Sequence, residues 1–135
     1  MSNIQYFFRE NNKQPERKKY IATNRFRDGE GKPIEWELKP IPTDRIEEIK
    51  DQTKFYQDTD KMMGRFAMEV TVASIAFPPL RDQKLQDSYG VKDPEKLLCK
   101  LLNAAELDML KVEALKINGY GGESLEELSG EAKNS

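Results

Sequence analysis

The residue types that most often carry out chemistry in proteins are scarce in this chain. Histidine, the commonest general base near neutral pH and the commonest metal ligand, does not occur among its 135 residues. Its absence excludes nucleophile pairs of the Ser/His or Cys/His type and zinc sites of the HExxH type. The 24 carboxylates give close pairs by chance, so an enzyme that depends on carboxylates alone is the weakest hypothesis. We therefore predict a protein that is not an enzyme and has no catalytic, cofactor-binding or metal-binding residues.

Two short features resemble reactive sites but have simpler structural explanations. The run Gly29-Glu30-Gly31-Lys32 lacks the GxxxxGK[ST] spacing of a phosphate-binding loop and lies between two predicted strands, which favours a hairpin turn. Cys99 lies beside Leu98 and close to Leu102, and the chain has no histidine or second cysteine to activate or pair it. We therefore predict that Cys99 is a small, buried apolar residue with an unreactive thiol.

The N-terminal segment is basic and could bind nucleic acid. Up to residue 27 its cations outnumber its acids, Glu10 and Glu16, and Tyr20 and Phe26 lie among them. These cations are Arg9, Lys13, Arg17, Lys18, Lys19, Arg25 and Arg27. Basic residues with interleaved aromatics can form a platform for single strands. A solvated strand face is the favoured interpretation, because the rest of the chain is acidic and the formal charge is −2. A small regulatory or nucleic-acid-binding protein remains the alternative function.

Composition indicates a single small domain with unpacked ends. Apolar residues make up 37% and charged residues 34% of the chain, which is lean for a globular domain. We predict a mobile arm at 1–16, or a short helix that docks through Tyr6, Phe7 and Phe8; a compact domain at 17–120; and an acidic flexible tail at 121–135. One cysteine, no recognisable signal segment and no apolar run near the roughly 20 residues of a bilayer span predict a cytoplasmic protein without a membrane partner.

Hydrophobic periodicity predicts an α+β fold that is mostly helical. Ile34, Trp36 and Leu38 alternate with charged residues, which indicates a strand with one buried face, and 18–41 should form a β-hairpin. A hairpin is marginal alone, so helices should cover this face and bury Trp36. Capping signals and apolar stripes predict a bundle of about four helices. The capping signals are Asp44 with Glu47, Asp58, Asp93-Pro94, and Asn103 with Glu106. Their predicted bounds are about 44–57, 61–77, 94–102 and 103–118, with a loop or short helix at 80–92.

The helix predicted at 61–77 has more apolar surface than one interface needs. Beside its main stripe, Met68, Val72 and Ile75 form a second one. A central helix buried on two sides is the favoured explanation, and a surface kept apolar for a partner is the other. The predicted partner-binding residues are Met68, Val72, Ile75, Leu80, Leu85 and Tyr89.

The order of several short landmarks resembles a known family. Arg25-Phe26, Asp28-Gly29, Gly31-Lys32-Pro33 and Trp36 precede an amphipathic helix. The later landmarks are Phe77-Pro78-Pro79-Leu80, Leu85-Gln86-Asp87-Ser88-Tyr89-Gly90-Val91, Leu97-Leu98, Leu101-Leu102-Asn103-Ala104-Ala105-Glu106-Leu107 and Glu131-Ala132-Lys133-Asn134. Together, over residues 18 to 134, they resemble the XkdN-like tail assembly chaperones of tailed phages and prophages. The stretch from Leu85 to Val91 is the sharpest part of the resemblance.

This resemblance implies a chaperone that binds the tape measure protein and keeps it soluble until the tail tube polymerises. It also implies a location in the cytoplasm of the bacterial host and absence from the mature virion. Contact with the tail tube protein is a second expectation, and self-association stays open. The family gives no residue-level site, so the six partner-binding residues rest on the apolar pattern alone.

Overall fold

The computed structural model describes residues 3–13 and 16–121. Two short 3-10 helices, Asn3–Phe7 and Arg9–Asn11, precede the main elements. The strands are β1 (Lys18–Tyr20), β2 (Trp36–Leu38) and β3 (Ile75–Phe77), and the helices are α1 (Thr43–Thr53), α2 (Thr59–Ser74), α3 (Gln83–Ser88), α4 (Pro94–Leu101) and α5 (Ala104–Ile117). The predicted α+β, mostly helical class is confirmed. The tail predicted at 121–135 lies, beyond Gly121, outside the described residues.

The predicted hairpin forms, and its turn is held by one aspartate. β1 and β2 pair antiparallel, with Tyr20 opposite Trp36. In the turn, the Asp28 carboxylate accepts hydrogen bonds from the backbone N–H groups of Glu30 and Lys32, at 2.8 and 3.0 Å. Gly31 has a φ of 81°, a left-handed conformation that glycine adopts without steric cost. This geometry supports the hairpin interpretation of the glycine-rich run over a phosphate loop.

The sheet has a third strand that periodicity did not reveal. The helix predicted at 61–77 ends at Ser74, and its last three residues form β3, which pairs antiparallel with β2 around an irregularity at Glu37/Leu38. Ile75 and Phe77 have the branched and aromatic side chains that strands favour. Pro78 also disfavours a helical conformation for the residue before it. The segment Ile75–Phe77 therefore pairs with the open edge of β2, although the spacing of its apolar residues alone predicts that α2 continues through it.

Polar caps begin three of the helices where the sequence predicts them. Asp58 and Asp93 accept hydrogen bonds from the first backbone N–H groups of α2 and α4, and Asn103 forms a reciprocal capping box with Glu106 on α5. α1 differs, because its N-cap is Pro42 without a side-chain cap. It ends at Thr53, four residues before the predicted end.

Helix α2 lies between two apolar clusters. Phe66 and Val70 pack with Ile46 and Ile49 of α1 and with Leu115. Met68, Val72 and Ile75 pack from the other side against a larger cluster that contains Trp36 and Leu38 of the hairpin. The leucines of that cluster are Leu80, Leu97, Leu98, Leu101, Leu102, Leu107 and Leu110. Trp36 is 2% exposed, which confirms that helices cover the hairpin face.

The aromatic side chains of the N-terminal arm lie outside both clusters. Tyr6 and Phe7 are 69% and 85% exposed, and Phe8 is 45% exposed. The short helical turns at 3–11 therefore form without docking through these rings.

Candidate partner-binding surface

A groove with a basic rim crosses the sheet side of α2. We call it the basic groove; its volume is about 640 Å³. Its floor is aliphatic and comes from α2, β3 and the following loop. The floor residues are Val72, Ala73, Ile75, Ala76, Pro79 and Leu80, and Pro40, Ile41, Pro42 and Pro94 complete the walls. Four cations line it, namely Arg17, Lys39, Arg45 and Arg81.

The basic groove continues into a smaller recess of about 320 Å³ that also contains Met68. At this end, Arg65 forms ion pairs with Glu95 and, at 3.4 Å, with Glu69. The hydrogen bond to Glu95 is the main reason that the pKa of the Arg65 guanidinium is raised. This ion-pair network links α2 to α4 and fixes the end of the groove.

A second concavity, the apolar cleft, has a volume of about 150 Å³, and the described residues that line it are all apolar or aromatic. These residues are Phe26, Ile34, Trp36, Phe77, Pro78, Leu85, Tyr89 and Leu101. The segment 75–79 separates the two concavities, since Ile75, Ala76 and Pro79 face the groove while Phe77 and Pro78 face the cleft. Phe77 is 41% exposed.

The six predicted partner-binding residues divide between these concavities. Val72, Ile75 and Leu80 line the basic groove and Met68 its recess, whereas Leu85 and Tyr89 line the cleft. All six also pack on the larger core cluster, and Leu80 is only 5% exposed. The structure thus gives their side chains a role in the core, and their role in binding stays a prediction.

Sequence reasoning singled out Arg17 as part of the basic N-terminal segment but did not group it with the other three cations of the groove. Arg17 precedes β1, Lys39 follows β2, Arg45 lies in α1, and Arg81 follows β3. No local spacing relates these positions, so only the folded chain brings them to one rim.

Comparison with known proteins identifies the family. Residues 4–133 match the phage XkdN-like tail assembly chaperone (TAC) proteins. The chain belongs to this family.

Two relatives come from Bacillus subtilis strain 168. The "Phage-like element PBSX protein XkdN" is 30% identical over 124 residues, which cover 86% of this chain and 83% of that protein. The "Uncharacterized protein YqbN" is 28% identical over 124 residues, which cover 83% and 80%. The crystal structure of the protein YqbN superposes with a TM-score of 0.77 at 24% identity and covers 88% of this chain and 98% of that one. This likeness shows that the two share a fold.

In this tail assembly chaperone, ion pairs with acidic residues connect the basic N-terminal segment to the rest of the domain. Lys18 pairs with Glu113 of α5, Arg17 with Glu37 at 3.8 Å, and Arg25 with Glu106 at 3.1 Å. Arg27 donates instead to the backbone oxygen of Gly31. Four of the cations proposed for a nucleic-acid platform thus already have partners within the protein.

The pKa values of the two α5 carboxyls in these pairs, Glu106 and Glu113, are both lowered. The hydrogen bond from Lys18 lowers the pKa of Glu113. For Glu106, the main cause is the hydrogen bond from the Asn103 backbone, with Thr23 and Arg25 adding to it. These carboxylates therefore hold the hairpin against α5 in their ionised form.

Asn118 joins three elements at one end of the groove. Its side-chain oxygen accepts the backbone N–H of Ile41 at 2.9 Å, and its amide donates to Ser74 Oγ at 2.9 Å and to the Ala114 carbonyl at 2.7 Å. Ser74 is fully buried. This network positions the Pro40–Pro42 wall against the end of α2.

The prediction of a buried Cys99 is wrong, because its side chain is exposed. On α4 the buried face contains Leu97, Leu98 and Leu101, and position 99 points away from it. Within residues 3–13 and 16–121, no group of three or more potential ligands could hold a metal ion. No helix in the same ranges is long and apolar enough to cross a membrane.

Proposed function

We propose that this protein is a non-enzymatic chaperone that binds the phage tape measure protein and keeps it soluble until the tail tube polymerises. The observation that supports the proposal most directly is the family match over residues 4–133. The proposal places the protein in the cytoplasm of the bacterial host during assembly and outside the finished virion. Contact with the tail tube protein is a further part of it.

The concave surfaces suit a client with exposed helical stripes. A long helical protein that waits for its tube must shield apolar side chains from water, and a helix-in-groove contact does this without altering the client. The aliphatic floor of the basic groove and the apolar cleft lie on either side of segment 75–79. Together they offer two neighbouring places for apolar side chains of one segment.

The alternative, a regulatory protein that binds nucleic acid, is less well supported. Acids of the same domain already neutralise several of the cations on which it depends. We therefore retain the chaperone as the proposed function.

Co-expression with the tape measure protein of the same phage or prophage tests the proposal. The client should be soluble only when the chaperone is present, and the two should co-elute in gel filtration. Met68→Gln, in the groove recess, should reduce client solubility because it places an amide among apolar contacts. Met109→Gln is the matched control, since Met109 is 64% exposed on α5 and lines neither concavity.

Circular dichroism should show that both variants remain folded. A client that is equally soluble without the chaperone, and that forms no complex in gel filtration, would refute the proposed function. Equal effects of the two substitutions would instead exclude the groove recess as the contact.

A further inference from the structure

The basic groove has an unusual charge composition for this chain. The sequence contains 24 acidic and 22 basic residues, yet every described ionisable residue that lines the groove itself is a lysine or an arginine. Acids line only the adjoining recess, where Arg65 pairs with Glu69 and Glu95 and where Asp93 is the third carboxylate. Arg17 and Arg45 have carboxylate partners, Glu37 at 3.8 Å and Glu48 at 3.4 Å. The acids themselves lie outside the lining.

The other two cations have no ionic partner within the described ranges. Lys39 and Arg81 are both exposed, and neither forms an ion pair with any residue of 3–13 or 16–121. Clustered like charges at a concave surface raise the local positive potential and attract an anionic partner. The rim therefore favours carboxylates or phosphates over neutral groups.

The residues on the floor of the groove indicate whether a carboxylate or a phosphate binds at its rim. A site for single-stranded nucleic acid normally presents aromatic rings on which bases stack. Among the residues that the structure describes, no aromatic side chain lines the basic groove, and its floor is aliphatic. An aliphatic floor with a cationic rim instead complements a protein segment that has apolar side chains along one face and acidic side chains beside them.

We propose that the basic groove selects an amphipathic client segment whose apolar stripe is flanked by aspartate or glutamate. The apolar side chains of the segment lie on Val72, Ile75 and the exposed Pro79, and its carboxylates reach Lys39 and Arg81. This inference rests on the proposed function and specifies which kind of client segment the groove accepts. Selection acts through charge, because aliphatic stripes are common to many helices.

Selection from a display library of random 16-residue peptides tests this specificity on the full chain. Peptides enriched on the wild type should carry aliphatic residues at i, i+3 or i+4 spacing with adjacent acids. The double variant Lys39→Glu/Arg81→Glu should lose this acidic preference. The control Lys84→Glu/Lys100→Glu makes the same change in net charge at two exposed sites outside the groove, and it should keep the preference.

Fluorescence anisotropy with the most enriched peptide gives the magnitude. We expect the groove variant to weaken binding about tenfold or more, since two attractions become repulsions, whereas the control should change it by about twofold or less. Raising the salt concentration should narrow the difference between wild type and groove variant. Circular dichroism shows whether both variants are folded.

Three results would overturn the inference. Enriched peptides that are neutral or basic, or no enrichment at all, would exclude an acidic client segment. Tighter binding of a single-stranded oligonucleotide that the groove substitutions abolish would make nucleic acid the occupant. The groove substitutions could also convert a dimer to a monomer and leave the peptide selection unchanged. That result would show that the occupant of the groove is a second copy of the chain.

The inference and the proposed function can fail separately. A client that is solubilised by the wild type and by the groove variant alike retains the chaperone but removes the charge selection. Acidic peptides could instead bind the groove while the co-expressed client stays insoluble. That result would support the charge selection but exclude the tape measure protein as the partner.

Discussion

Replacing Trp36 with alanine should remove a large share of the folding free energy. Trp36 is 2% exposed, and its strand is the centre of the three-stranded sheet. A buried aromatic removes about 150–250 Å² from water, which at ~25 cal/mol per Å² gives an upper estimate of about 4–6 kcal/mol. Measured truncations of buried aromatics give about 3–5 kcal/mol. We expect a loss in this second range.

Urea unfolding followed by circular dichroism measures this loss, because Trp36 is the chain's single tryptophan and its removal abolishes tryptophan fluorescence. With m near 1–3 kcal/mol per molar urea, a loss of about 3–5 kcal/mol should lower the midpoint by about 1–5 M. Trp36→Phe keeps a ring in the site and should cost clearly less, which provides a folded reference if the alanine variant does not fold. A loss below about 1 kcal/mol together with abolished client binding would show that Trp36 is a surface anchor, against the reasoning from burial.

Three further predictions concern the contacts around the core. Asn118→Ala should cost about 1–3 kcal/mol in urea unfolding, because it leaves buried hydrogen-bonding groups without their partner; the exposed Asn24→Ala should cost below about 0.5 kcal/mol. The lowered pKa of Glu113 means that its stabilising contribution is complete above the ordinary glutamate value of 4.5 and is lost as pH falls through the lowered value. Glu113→Gln should therefore reduce the dependence of the urea midpoint on pH below about 4.5; an unchanged dependence would contradict the role of its pair with Lys18. Amide hydrogen exchange should be fast at 3–13 and slow across α5; slow exchange in the arm would show that it docks.

Sequence patterns correctly predicted the elements that are determined by residues close to one another in the sequence. The alternation through Trp36 identified β2, and the Asn103/Glu106 spacing identified the start of α5. β3 could not be predicted this way, because Ile75 and Phe77 also continue the helical stripe of α2. Its conformation is decided by the free edge of β2, which is distant in sequence.

The candidate surface was predictable only in part for a related reason. The second stripe on α2 marked Met68, Val72 and Ile75, and these residues do lie at the groove and its recess. The same pattern could not separate core packing from exposure, and the residues do both. The cationic rim depends on the relative positions of four elements, so no window of sequence contains it.

The pairing of distant parts of the chain affects the order in which the protein can fold. Lys18 and Glu113 are 95 residues apart, Arg25 and Leu101 are 76 apart, and Ile41 and Asn118 are 77 apart. Contacts between residues so far apart in sequence form late in folding. Closing the intervening loop reduces the entropy of the chain, and this unfavourable free energy arises before the contact itself contributes any stabilisation. Since Asn118 positions one wall of the basic groove, we expect that wall to take its place only after α5 has emerged from the ribosome. Nascent chains that stop before residue 118 should consequently fail to keep the client soluble, which would limit client capture to copies that already contain α5 and Asn118.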